Sequence, residues 1–491
     1  MLRFPLAQAF DNLPHGWRRS LHLNTLTKSS SLKIAYLPLF SSLAFRGVVL
    51  VARAWGWTKD IGSRILLLIF KIVQPRWIIA CCLISNSLLA QTEPGSAAGH
   101  VPKLPRLLAK EVFLRHEESR PVATGFITYV SATKPVLMHC FGRQDYSDGY
   151  DDYAIQLSTD NGHTWSKPEI RWKSSVVPEG RMRYAEPAAW FDADKQKLIV
   201  LIDHTLHPND KLNVDTDYGL ELNIYDPARQ EWTERRELNF PGQRTPAMSF
   251  SFPIKTAAGH LLFPGMRKSI DANGKAIHYK NTWAPMDELV TVIGEWTPAG
   301  LSFRLGEALK IEPERSSRGL DENALTALAD GRIAAVCRGD NSAFPDQPGY
   351  KWLTFSANDG ETWSKPVPFP ATDGEIESGA NGSAFFRSIK NGKLYWMGNL
   401  ALRGDRPKGN WPRSPLCLVE VQESPMALKR DTIFAVDERT FNDSPRVQMS
   451  NFRFYQDRMT GDLVVFLSRY GEQSEKEWML ANYYRYRVEM P

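Results

Sequence analysis

Residues 158–168 read Ser-Thr-Asp-Asn-Gly-His-Thr-Trp-Ser-Lys-Pro, and residues 356–366 read Ser-Ala-Asn-Asp-Gly-Glu-Thr-Trp-Ser-Lys-Pro. The two stretches lie 198 positions apart and share one design. Asp160, or Asn358 in the copy, can accept hydrogen bonds from the backbone N–H groups of a tight turn. Gly162 and Gly360 allow positive φ. Trp165 and Trp363 cover the turn with apolar area. The device reads as a hairpin turn repeated for structural reasons, away from any chemistry.

A weaker rhythm runs beneath it. Six times the chain writes a turn, an apolar run of four to six residues and a polar stop. The runs are Lys134–Arg143, Lys195–His204, Gly259–Arg267, Gly331–Arg338, Gly392–Asn399 and Gly461–Arg469, with gaps of 61, 63, 71, 61 and 70 between the stops. A short continuous apolar run is the mark of a strand buried on both faces. A period near 60 with several strands per unit predicts an all-β fold, a six-bladed β-propeller of four-stranded antiparallel blades. Helical spacing is confined to short stretches such as Asp321–Leu328. Both copies of the quoted turn fall just past the same strand of their units.

The chain of 491 residues, 43% hydrophobic, can bury one large β core. A net charge of +5 with no dense basic tract speaks against nucleic-acid binding. The aromatic residues suit a turn-rich core first and a sugar platform second. Residues 71–90 carry a basic start and the apolar run Trp77–Ala90, which reads as a secretory signal. That run is short for a bilayer span of about 20 residues. Residues 91–109 follow as a polar linker, the propeller is expected over 110–491, and residues 1–70 form an extension of no assigned role. The expected location is secreted or periplasmic, with residues 47–90 as the alternative of a membrane anchor. Cys140, Cys337 and Cys417 sit in apolar runs and read as buried thiols, not a disulfide framework. No Cys/His cluster has zinc-site spacing, His204 and His207 amount at most to half a metal site, and no cofactor is expected.

Ser-x-Asp-x-Gly-x-Thr-Trp is the Asp-box, and over residues 110–485 the chain resembles the sialidase (neuraminidase) superfamily. The resemblance implies an exo-acting glycosidase that holds a sugar carboxylate with three Arg, uses an Asp as acid/base, and attacks with a Tyr activated by a Glu. Guanidinium forks bind carboxylates in bidentate fashion, and a neutral Tyr avoids repulsion by the substrate's charge. By family order, Arg120-Pro121 supplies the first Arg, Gly142-Arg143 follows, and Asp148 is the acid/base. Glu322 and Arg338, 16 apart, match the Glu and the second Arg. Arg413 fits the third, with Arg403 in reserve. Met449 stands where the nucleophilic Tyr belongs, which leaves Tyr455 or Tyr470 to enter from nearby. Arg143 and Arg183 are further candidates for substrate binding. Any of the strand-ending Arg could instead form ion pairs at the propeller mouth, and the acidic loop around Asp148 could be solvated or hold a cation.

The implied partner is a sialoglycoconjugate or similar glycan, handled by a monomer. Two rivals remain on sequence grounds. One is a lyase acting on uronate polymers, with Arg183-Tyr-Ala-Glu186, His204 and His207 as its candidates. The other is a glycan-binding propeller without activity, which Met449 favours.

Overall fold

A computed structural model describes residues 103–491, apart from Phe250 and Arg403. The expected extension and signal, most of the expected linker, and the reserve Arg403 lie outside the described residues.

Six antiparallel sheets follow one another along the chain. Blade 1 holds Val122–Tyr129, Leu137–Gln144, Tyr150–Ser158 and Glu169–Trp172. Blade 4 holds Asp321–Ala327, Ile333–Arg338, Lys351–Ser356 and Val367–Pro368. The apolar runs are the second strands of their blades throughout: Leu137–Gln144, Lys197–Pro208, Leu261–Lys268, Ile333–Arg338, Leu394–Asn399 and Leu463–Ser468. Each lies inside its sheet, so both faces pack on neighbouring blades, and all six residues of Ile333–Arg338 are buried. Three sheets carry a fifth short strand, and Asp321–Ala327, the stretch with helical spacing, is the inner strand of blade 4. Paired with Ile333–Arg338, it buries Asp321 and the consecutive run Asn323–Thr326, and tertiary packing overrides the local pattern.

The ring closes through its ends. Arg106–Leu114 pairs antiparallel with Tyr483–Glu489 and becomes the outer strand of blade 6, so the propeller begins at Arg106 rather than at 110. Cys140, Cys337 and Cys417 are buried free thiols.

Both quoted stretches are turns between the third and fourth strands of blades 1 and 4. Ser158 Oγ accepts from Gly162 N at 2.8 Å, and Asp160 accepts from Thr164 N at 2.8 Å and Thr164 Oγ1 at 2.6 Å. The copy repeats this with an amide, Asn358 Oδ1 accepting from Thr362 N at 3.1 Å. Gly162 and Gly360 have φ of 84° and 79°. The hydrogen bonds from Thr164 hold the Asp160 carboxyl at about 2, below the usual range. A depressed carboxyl contributes stability above its unfolded value near ~3.9 and loses it as pH falls toward 2. Asp160→Ala should therefore lower the melting temperature at neutral pH, and the gap from wild type should narrow below about pH 4. Asp160→Asn, which reproduces the second copy, should cost less. Thermal melts of the three proteins across pH check this.

Candidate functional site

In each blade the start of the first strand lies beside the end of the second, as Asp321 pairs with Arg338. Loops before first strands and loops after second strands therefore open at one mouth. The repeated turns lie at the other. The mouth holds a cavity of about 310 Å³ lined from all six blades.

Asp148 lines it from the loop after the second strand of blade 1. Its φ is 56°, a left-handed conformation that Asp tolerates better than most residues. The loop closes on itself through Asp145 N to Gly149 O and Gly149 N to Tyr146 O, both 2.9 Å. Its other carboxylates are consumed beneath it. Arg120 binds Asp145 and Asp151, each at 2.7 Å, and Arg181 binds Asp151 at 3.0 Å. Arg183, only 2% exposed, binds Asp145 at 3.0 Å and Asp210 at 2.7 Å, and donates to Tyr150 O at 2.8 Å. Two of the carboxylates of this acidic loop, Asp145 and Asp151, are thus taken up in ion pairs. The loop is fastened by arginines, which leaves Asp148 facing the cavity. Desolvation raises the Asp148 carboxyl above the ordinary range, against the pull of Arg413, Arg338 and Arg318. The residue is accessible from the cavity but ringed by protein on its other sides, and this is why both desolvation and those cations act on it.

Those three guanidiniums also line the wall. Arg338 Nη1 meets Glu322 Oε1 at 2.8 Å, its Nη2 donates to Asn410 Oδ1 at 2.9 Å, and its Nε lies 3.5 Å from Asp321. Arg318 Nη2 meets Asp321 at 3.1 Å, while its Nε and Nη1 are buried without a hydrogen-bond partner. Arg413 binds neutral groups, Gln448 Oε1 at 2.9 Å and Ser450 Oγ at 3.2 Å. Among the described residues it forms no ion pair. Desolvation, reinforced by the neighbouring Arg338, pushes it down to about 10.

The structure brings Asp148, Glu322, Arg338, Arg413 and Arg183 to the cavity wall. It places three other candidates elsewhere. Arg120 is held in ion pairs with Asp145 and Asp151, off the lining. Arg143 turns to Glu117 at 2.6 Å. Tyr455 lies in the first strand of blade 6, near the hairpin to the second, where it packs on Tyr129 and Phe466. A Cβ on Gly162 of the repeated turn would lie 2.7 Å from its hydroxyl, so Tyr455 sits at the far mouth. Met449 is 0% exposed and packs in the core between blades 5 and 6. Tyr470 does line the cavity, its hydroxyl donating to Gln144 Oε1 at 2.7 Å. His204 pairs with Glu237 at 3.0 Å off the lining, and His207 bonds Tyr146 at 2.8 Å, so the two imidazoles serve different partners.

Sequence reasoning missed Arg318. Its one signal was the run Ser316-Ser-Arg-Gly319 immediately before the inner strand that carries Glu322. It also passed over Trp283, 54% exposed at the cavity rim with the Arg318 guanidinium 5.1 Å from its ring.

No family model matches the chain, and no curated protein matches it in sequence. Solved structures do match in fold. The NanB sialidase from Streptococcus pneumoniae, in complex with 2-[(3-chlorobenzyl)ammonio]ethanesulfonate, superposes with a TM-score of 0.52 at 12% identity, over 80% of this chain and 71% of that one. The intramolecular trans-sialidase from Ruminococcus gnavus, in complex with oseltamivir carboxylate, gives 0.52 at 12% identity, over 78% and 97%. The leech intramolecular trans-sialidase complexed with 2,7-anhydro-Neu5Ac gives 0.51 at 12%, over 80% and 71%. At that identity the likeness is one of fold, and this chain is a sialidase-like six-bladed β-propeller.

Proposed function

We propose that the chain is a glycoside hydrolase that releases a terminal carboxylated sugar, sialic acid or a close analogue, from a glycan. One observation carries the reading: Arg318, Arg338 and Arg413 converge on one cavity with buried donors left over. A buried donor without a partner costs about 1–3 kcal/mol, and a carboxylate can accept from several guanidiniums at once. An incoming carboxylate also offsets the desolvation, and the repulsion by Arg338, that depress Arg413. Asp148 faces this cluster with its proton held to higher pH by desolvation, the state a general acid needs to protonate a leaving oxygen. Glu322, fixed by Arg338, lies beside it. The sialidase-like fold and the names of its structural neighbours support a glycan substrate. An exported protein suits that substrate, and this part of the proposal rests on residues 71–90 of the sequence alone.

Met449 supports a second reading. With a core methionine at the position of the expected Tyr, the same cavity could bind a carboxylated glycan without turning it over.

Residues 91–491 incubated with a fluorogenic sialoside should release the fluorophore, and Asp148→Ala should cut release to a small residual rate. Binding with no turnover, by protein shown to be folded, would favour the second reading, and ultraviolet absorbance from a new double bond on uronate polymers would identify a lyase. Arg413→Ala should raise KM and lower kcat/KM by about 10- to 100-fold, because a charged hydrogen bond is lost. Arg413→Lys should recover only part, since an ammonium lacks the fork. The acid must be protonated to act, so activity should fall as pH rises through the elevated Asp148 value, and Asp148→Asn should erase that alkaline limb from the pH–rate profile.

A further inference from the structure

The cavity holds four tyrosines, Tyr150, Tyr184, Tyr218 and Tyr470. Three of the hydroxyls meet different partners. Tyr184 accepts from Arg235 at 2.8 Å, and Tyr470 donates to an amide oxygen, Gln144 Oε1. Tyr150 alone among these donates to a carboxylate, Glu186 Oε1 at 3.2 Å. Glu186 Oε2 in turn meets Arg453 Nη2 at 3.0 Å, and Arg453 is 4% exposed.

Glu186 is held in this place at a cost. It sits in an irregularity of the inner strand of blade 2, where the register slips between Ala185 and Ala188. Its φ is 42°, and Pro187 follows, a neighbour that favours extended backbone. Bulges re-aim side chains, and strained non-glycine backbone concentrates at functional positions. Here the slip turns a carboxylate into the mouth beside the hydroxyl of Tyr150, which opens the third strand of blade 1 two residues past Asp148.

We propose that Tyr150 is the catalytic nucleophile of the glycosidase, that Glu186 is its base, and that Arg453 positions Glu186. This rests on the hydrolase reading of the cavity. In the first step Tyr150 Oη bonds to the anomeric carbon as its proton passes to Glu186. The glycosidic C–O bond breaks, and the leaving oxygen takes the proton of Asp148. In the second step water attacks the anomeric carbon and gives a proton to Asp148. The bond to Tyr150 breaks, and the phenolate recovers its proton from Glu186. Burial and the Glu186 charge hold the Tyr150 phenol protonated at rest, so a base in contact is needed at the moment of attack. The missing Tyr at Met449 is thereby replaced from blade 1 rather than from blade 6.

The test uses residues 91–491 and a 2,3-difluorinated sialic acid, whose fluoride leaves without acid help and whose second fluorine slows hydrolysis of a covalent adduct. Peptide mass spectrometry of the wild type and of Asp148→Asn should find the sugar on Tyr150, and Tyr150→Phe should carry none. On the fluorogenic sialoside, Tyr150→Phe and Glu186→Gln should each lower kcat by about 10³-fold with KM little changed, a split that lost folding would not produce. Wild-type turnover with the label on another residue, or with none, overturns the assignment of Tyr150 and leaves the hydrolase reading standing. Absence of turnover by folded wild type overturns both.

Discussion

Everything at the mouth depends on one ladder of backbone hydrogen bonds, between Arg106–Leu114 and Tyr483–Glu489. It joins the first described strand to the last, across nearly the whole ring. An open array of blades would expose an unpaired edge and let the end blades drift apart. Closure fixes all six inner strands around one axis. Side chains remote in sequence then meet at set distances, as Arg453 does with Glu186 across 267 positions. Arg485–Glu111 at 2.6 Å lies along the same seam, and Lys110–Asp437 at 2.9 Å ties the first strand to Phe434–Asp437 of blade 5.

Within that frame the cavity is organised by an uneven sharing of counter-charges. Beneath the Asp148 loop, Arg120, Arg181 and Arg183 are matched to Asp145, Asp151 and Asp210, and the result is a rigid support. Across the cavity the matching is incomplete. Asp321 and Glu322 are shared between Arg318 and Arg338, and Arg413 is left with amide, hydroxyl and carbonyl partners. A protein that wanted only stability would neutralise or replace these groups, since buried cations without partners are costly. This incomplete matching is the physical support for the anionic ligand proposed above.

Much of this was legible in the residues. The blade number and the second strand of every blade follow from apolar runs and turn residues that are adjacent in sequence. The repeated turn follows from Ser, Asp or Asn, Gly, Thr and Trp within eight positions. Glu322 and Arg338 matched the order and spacing of the family resemblance, and a single hairpin places them together. Arg120, Arg143 and Tyr455 carried plausible local patterns, yet each is spent on a neighbour supplied by another strand or loop. Arg318 and Tyr150 had weak local signals and became visible only through what surrounds them.

The sequence by itself determined the architecture, because strand, turn and burial patterns are short-range properties of the chain. Only the tertiary structure decided which ionisable groups are free to act. A guanidinium at the end of a strand looks the same in sequence whether it meets Glu117, as Arg143 does, or a ring of neutral oxygens, as Arg413 does. That difference is made by partners brought in from elsewhere by ring closure, and electrostatic energy depends on those distances rather than on position along the chain.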